Sequence, residues 1–311
     1  MSEFRANKEP LVAPGRIDHH IGDMTVTLAA DVSLQETQDA LGAMDQWIPA
    51  DGDPQLPVGQ LVETNSTGPL RLGYGAWRDL LLGAQFYNGR GELITAGGRT
   101  VKNVAGYDLT KFMVGQRGVF GRLVTITTRT YKQPAGALLV TFPPQPGRLH
   151  RLLTSPARPQ WTLLTADALL CGYLGDRRSI DYYEKTLAEL KPRSIKRRTL
   201  EQDIEDRARL WRGEFRASVP PAKVSDLIAV ARPTRWVADP AFGIVLGSGD
   251  EAAIRSAVKA LAGTVHFSRG RDEVLGFEVP PGPQRDLLER LKHSFDPDQR
   301  LAPLPWQTQS T

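Results

Sequence analysis

Residues 97–121, GGRTVKNVAGYDLTKFMVGQRGVFG, hold six glycines: Gly97, Gly98, Gly106, Gly115, Gly118 and Gly121. Glycine at this density commits the backbone to sharp turns or to close approach, because a residue without Cβ tolerates positive φ and near neighbours. A short amphipathic helix is predicted between the glycines, from Asp108 to Val114. Asp108 is a suitable N-cap, Leu109, Phe112 and Met113 have i, i+3, i+4 spacing, and Gly115 suits the C′ position. The threonine-rich run LVTITTRTY that follows reads as a strand. Glycine turn, helix, glycine turn and strand follow one another, and backbone N–H groups at such turns can face a phosphate or a planar ring.

A second segment supports this reading. In GQLVETNSTGPLRLGYGAWRD (59–79), Thr64, Asn65, Ser66, Thr67 and Gly68 form a small polar loop before Pro69. Hydroxyls and N–H groups crowded before a Gly-Pro step predict an anion cradle, with Arg71 and Arg78 adding positive charge.

In this order the two segments resemble the FAD-binding domain of the vanillyl-alcohol oxidase / p-cresol methylhydroxylase (PCMH) superfamily, in the branch of the FAD-binding subunits of glycolate oxidase (glycolate dehydrogenase). The matching pieces are TNSTGPLRLGYGAWRDLLLG (64–83), NGRGEL (88–93) and the 97–121 stretch. TVHFSRG (264–270) and LKHSFDPDQRLAP (291–303) add to them. The likeness runs from about residue 17 to 303.

The resemblance implies an α+β fold: a PCMH-type FAD-binding domain, shortened at its N-terminus, with a cap domain. It implies two-electron oxidation of a glycolate-like 2-hydroxy acid, hydride passing to the flavin and electrons leaving through a companion flavoprotein and an iron–sulfur subunit. Thr64, Asn65, Ser66 and Gly68 are then expected at the FAD phosphates. Asn103, Gly106 and Tyr107 are expected along the ring or ribose, and Gly118, Val119 and Gly121 beneath the cofactor. Arg78 and Lys102 are the candidate cations for a substrate carboxylate, and His266 a candidate base or oxyanion donor. No histidine or cysteine stands in a covalent-flavin motif, so the FAD is expected to be noncovalent.

Three features depart from the family. About sixteen residues precede RIDHH, without the usual pyrophosphate loop. Gln116-Arg117-Gly118 replaces a common Ser-Glu-Gly, with Arg122 after Gly121. Leu301-Ala302-Pro303-Leu304 replaces the usual Asn-Pro-Gly. These departures keep open an alternative, a flavin-poor structural subunit of such a complex.

Composition narrows the remaining classes. The single cysteine, Cys171, lies in an apolar run and reads as a buried hydrophobe. One thiol makes neither an intrachain disulfide nor an iron–sulfur cluster, so a cluster would belong to another chain. None of the five histidines has metal-ligand spacing, so no metal is expected. A net charge of +4 raises nucleic acid as a partner, yet the basic run KPRSIKRR (191–198) has no interleaved aromatics and meets acidic EQDIED directly. It reads as a solvated connector, with docking to an acidic partner second. No apolar run reaches the ~18–20 residues of a spanning helix, and no secretion signal is evident. The chain is expected in the cytoplasm, with any membrane association arising through a complex.

Three parts are expected: an FAD-binding domain over 1–135, a cap or substrate domain over 136–270, and a C-terminal segment, 271–311, returning to the first domain. In the middle part strands alternate with helices, as in an antiparallel, ferredoxin-like sheet. No internal repeat is clear in the sequence.

Overall fold

The computed structural model describes residues 16–98, 109–145, 147–268, 281–304 and 306. Up to Lys132 the elements are β1 (Ile17–His20), β2 (Thr25–Ala29), α1 (Leu34–Gly42), β3 (Gln46–Trp47), α2 (Val58–Glu63), α3 (Arg71–Tyr74), α4 (Trp77–Leu80), β4 (Leu81–Tyr87), β5 (Leu93–Gly97), α5 (Leu109–Phe112), β6 (Arg122–Arg129) and β7 (Tyr131–Lys132). Then come β8 (Gly136–Phe142), α6 (Arg148–Leu153), β9 (Trp161–Leu164), β10 (Leu169–Gly175), α7 (Arg177–Ala188), β11 (Ser194–Arg198), α8 (Leu200–Leu210) and β12 (Phe215–Ser218). The chain continues through α9 (Val224–Ala231), β13 (Arg235–Asp239), β14 (Ile244–Ser248), α10 (Glu251–Ala260), β15 (Thr264–Phe267) and α11 (Pro283–Phe295).

Two compact units result. The first takes the chain up to Thr67, then Gly75–Gln133, then the C-terminal segment with α11. The second takes Gly68–Tyr74 and the chain from Pro134 through β15. Residues 68–74 thus leave the expected 1–135 domain: the Gly-Pro step of the motif is where the chain passes to the second unit.

The first unit is built on an antiparallel sheet of order β1-β2-β6-β4-β5. Alternation gives it two unlike faces. Val26, Leu28, Phe86 and Ile126 form a core with Leu34 and Leu41 of α1 and with Val58, Leu61 and Val62 of α2. The other face is polar and also buried. Thr27 and Thr127 share a hydrogen bond at 2.9 Å, and Gln85 links Thr95 and Thr125 at 3.1 Å each. The threonine run is therefore a strand whose hydroxyls pair across the ladder. Ser33 and Glu36 form a reciprocal capping box at the start of α1. The β4–β5 hairpin closes through Asn88, whose side-chain oxygen accepts from Arg90 and Glu92 N–H at 3.0 Å.

The second unit carries an eight-stranded antiparallel sheet, β11-β8-β10-β9-β13-β14-β12-β15. It is a structural duplication. The first half runs β8-α6-β9-β10-α7-β11 and the second β12-α9-β13-β14-α10-β15, each a βαββαβ ferredoxin-like unit. The halves meet edge to edge where Leu164 of β9 faces Ala238 of β13. The repeat was invisible in the sequence because the halves share periodicity and connectivity, not residues.

Helices α6 and α7 pack on Leu138, Val140, Cys171 and Tyr173 of the first half, while α9 and α10 pack on Ala217, Ala238 and Val245 of the second. On the other face of the first half, the Trp161 indole N–H donates to Asp203 of α8 at 2.9 Å, and Asp203 is paired with Arg207 at 2.9 Å. Burial pushes the Asp203 carboxyl up to about 7, against the pull of the Trp161 hydrogen bond. Cys171 is fully buried, and burial raises its thiol.

The basic run is not a connector. Its SIKRR portion forms β11, paired antiparallel with β8. Arg197 bridges Asp181 and Glu184 of α7, and Arg198 pairs with Asp206 of α8. Acidic neighbours on both helices hold the run as an edge strand.

Candidate cofactor turn and arginine face

In the first unit the polar motif begins as the end of α2. Thr64 caps the helix, its hydroxyl donating to Gln60 O at 2.7 Å. Asn65 turns left-handed at φ 50, as asparagine often does just past a helix end. The N–H groups of Thr64, Asn65 and Ser66 bond to Gln60, Val62 and Leu61 carbonyls at 2.9, 3.0 and 2.8 Å. The expected backbone cradle at 64–66 is thus committed to ending its own helix, and the Asn65 and Ser66 side chains are what this stretch can offer a ligand. Gly68 folds with the second unit, where its carbonyl accepts from Arg71 N–H at 3.2 Å.

Carbonyls at the end of α2 also receive the glycine turn. Gly115 N–H donates to Val62 O at 3.0 Å and Arg117 N–H to Glu63 O at 2.9 Å. The Glu63 carboxylate accepts from Leu123 N–H at 3.3 Å, and burial raises its pKa against that bond. Within the turn, Gln116, 3% exposed, works at both ends. Its amide donates to Gly121 O at 2.9 Å, and its oxygen accepts from Phe120 N–H at 3.0 Å.

The C-terminal segment closes the same turn. Lys292 of α11, 5% exposed, donates to Val119 O and Ala302 O at 2.9 Å each and to Asp296 at 2.5 Å. Asp296 also accepts from Arg300 and Leu301 N–H at 2.7 and 2.9 Å. Burial pushes the Asp296 carboxyl up, but Lys292 and these N–H groups outweigh it and hold it below the usual value. Ala302 N–H in turn bonds Gly118 O at 3.2 Å. Gly118 has φ +77, and a Cβ there would meet Ala302 at 3.7 Å. Val119 is fully buried, and Gly121 packs where a Cβ would strike Phe86 at 2.5 Å. Val119 and Gly121 therefore support the turn from within.

Asn103, Gly106, Tyr107 and Lys102, and the N-cap Asp108, lie outside the described residues. Arg78 is exposed on α4. His266 is half-buried on β15, directly opposite Arg216 of β12.

That pairing exposes a cluster the motifs did not single out. Alternation puts Phe215 and Ala217 on the helix-covered face, so Arg216 points to the other. Register extends its row across Val237, Leu246, Arg216 and His266, with Asp239 two residues along β13 on the same face. Asp239 is 2% exposed and accepts from Ala241 N–H at 3.1 Å and from Phe242 N–H. These bonds shape the turn into β14, which needs Gly243 at φ +69 because a Cβ there would overlap Val219 O. The turn sets the Phe242 ring beneath Arg71, 4.2 Å from guanidinium carbon to ring centre. Burial pushes the Asp239 carboxyl up to about 6, opposed by the two N–H groups and by Arg71 and Arg216. Burial and then the charge of Arg71 depress Arg216. The legible signals were Arg71 in its motif and His266 on its strand; Arg216 and Asp239 needed the sheet register to find.

No protein-family model matches the chain. Over 115 residues it is 30% identical to the mitochondrial D-lactate dehydrogenase (cytochrome) of Arabidopsis thaliana, a stretch amounting to 37% of this chain and 20% of that protein. It is also 30% identical over 127 residues to glycolate oxidase subunit GlcE of Escherichia coli (strain K12), 40% of this chain and 36% of that subunit. Among solved structures, an alkyldihydroxyacetonephosphate synthase superposes with a TM-score of 0.63 at 14% identity, over 89% of this chain and 63% of that one. The chain shares the fold of that synthase over most of its length. It spans less than two thirds of each of these relatives. The glycine turn and the arginine face belong to different units.

Proposed function

We propose that this chain is an FAD-linked oxidoreductase subunit that binds FAD noncovalently and acts on a 2-hydroxy acid. Its electrons would pass to partner subunits, a companion flavoprotein and an iron–sulfur protein. The observation that carries this reading is the glycine turn 115–121, tied to the end of α2 on one side and to Lys292 on the other. A turn so fixed is preorganised for a planar, phosphate-bearing cofactor. Similarity to a D-lactate dehydrogenase and to a glycolate oxidase subunit supports the substrate class.

The residues fit a flavin in part. Asn65 and Ser66 offer side-chain donors, and among the described residues nothing lies within 4 Å of where a Cβ on Gly98 would stand. The N–H groups of 64–66 are already bonded to α2. Bound FAD would supply the two-electron acceptor for the acid's hydroxyl-bearing carbon. The chain's own share is to hold the cofactor at Asn65, Ser66 and the 115–121 turn. Lys102, Arg78 and His266 remain the candidates for acid binding and proton handling drawn from the resemblance. The committed N–H groups favour a second reading, a structural subunit that keeps the fold without flavin.

A visible absorption spectrum after saturation with FAD and removal of unbound cofactor tests the proposal. A retained flavin band near one per chain is the expected result. A chain that stays colourless, alone and in a co-purified complex, overturns it in favour of the structural reading.

A further inference from the structure

From residue 17 to residue 70 the chain holds nine Asp and Glu and no Lys or Arg. The second unit is the reverse, with 23 Lys and Arg against 16 Asp and Glu. Each excess is presented to solvent along one helix. Helix α1 buries Leu34, Thr37 and Leu41, so its opposite face is Glu36, Asp39, Ala40 and Ala43, followed by Met44, 54% exposed. Asp53 adjoins that face: the next residue, Pro54, accepts from Gln35 N–H at 2.8 Å, and the Gln35 amide donates to Asp39 at 2.8 Å. Helix α7 buries Ile180 and Leu187, so its opposite face is Arg178, Tyr182, Lys185 and Glu189, with Tyr182 49% exposed. Leu190 and Lys191, both exposed, prolong it.

The chain itself leaves both faces charged. Among the described residues Glu36, Asp39 and Asp53 make no ion pair, and neither do Arg178, Lys185 and Lys191. Arg16, whose charge reaches Glu36, pairs with Asp31 at 2.7 Å. Asp181 and Glu184, the acids beside the α7 face, are taken up by Arg197.

We propose that the α1 face is a docking surface for a second copy of this chain, which meets it with its α7 face. On each helix the charges flank an apolar centre, Ala40, Ala43 and Met44 on α1 and Tyr182 and Leu190 on α7. The two alanines leave space for a large ring, and tyrosine is a common interface anchor. Charge decides the pairing. Helix α1 against α1 sets acid against acid, and α7 against α7 sets base against base; α1 against α7 is attractive. The two patches differ, so the contact is heterologous and passes from copy to copy. The acids of α1 also repel nucleic acid and anionic lipid, which leaves a basic protein face as the occupant. Two short helices bury little area, so the association is weak, driven by charge and diminished by salt. It is independent of flavin.

The test is sedimentation velocity of the full chain over a concentration series at low and high ionic strength. At low salt the average mass is expected to rise above the monomer with concentration, and at high salt to fall back. Gln35→Lys/Asp39→Lys, which spares the Ser33–Glu36 capping box, should weaken association about tenfold or more, and so should Arg178→Glu/Lys185→Glu. Lys259→Glu, an exposed change on α10, should leave it unaltered. Mixed in equal amounts, the two reversed chains offer each α1 face an α7 face of opposite sign, so association should return. Misfolding or a change of net charge alone would not produce that recovery, and circular dichroism melts verify that each variant is folded. A monomer at every concentration, or association that survives either reversal, overturns the proposal. Reversed chains that stay monomeric when mixed overturn the α1–α7 pairing.

Discussion

Lys292 and Val119 are 173 residues apart in the chain, yet the Lys292 ammonium donates to the Val119 carbonyl at 2.9 Å. The same ammonium holds Ala302 O and the Asp296 carboxylate, so one buried cation ties the C-terminal segment to the glycine turn. Removing one partner of a buried pair leaves the other charge uncompensated. Lys292→Met is therefore expected to destabilise the first unit by about 3–5 kcal/mol. The double variant Lys292→Met/Asp296→Asn should cost less than the two single changes summed. Urea unfolding of the three variants measures this; strict additivity would mean the two charges are not coupled.

Gln116 is expected to matter for the turn more than for the fold as a whole. Gln116→Ala removes two buried hydrogen bonds and leaves Phe120 N–H and Gly121 O without their partner. A loss of about 1–3 kcal/mol is expected. FAD retention should fall well beyond what the unfolded fraction explains. The comparison is flavin occupancy against fraction folded in the same sample, and proportional loss of both would show that Gln116 acts on stability alone.

Gly172 of β10 lies where Trp161 crosses from β9, and a Cβ would overlap the indole ring. That indole also donates to Asp203, within the buried pair with Arg207. Gly172→Ala should displace the ring, break the bond to Asp203 and cost at least about 1–3 kcal/mol. Denaturant unfolding together with tryptophan fluorescence reads both effects. An unchanged midpoint would show that the ring moves aside freely.

Asp239 gives a pH signature whose sign follows from its raised pKa. Between about pH 4 and 6 the folded chain keeps a proton on Asp239 that the unfolded chain has released. Its contribution is therefore most favourable below pH 4 and is lost as pH rises through 6, by up to about 3 kcal/mol. Asp239→Asn lacks this term, so wild-type stability should decline relative to the variant across that window. Paired unfolding curves at pH 4, 5, 6 and 7 check it, and parallel profiles would place the Asp239 carboxyl at its ordinary value.

Local features were legible in the sequence because their causes lie within a few residues of one another. The strand after Gly121 and the buried Cys171 follow from spacing and side-chain chemistry alone. So does the α+β alternation of the second half of the chain, and the glycine and threonine motifs carried the family resemblance. Tertiary structure decided what depends on partners distant in sequence. The N–H groups of 64–66 look like an anion cradle until α2 is seen to use them, a choice set by where the helix ends. The run 191–198 looks like a solvated connector until β8 pairs with it and acidic groups on α7 and α8 neutralise it. The ferredoxin-like duplication, the transfer of Arg71 to the second unit, and the meeting of Arg216 with Asp239 and His266 depend on strand order and register. Periodicity tells which face a residue takes; only the folded sheet, through hydrogen bonding and burial summed over many strands, tells what shares that face.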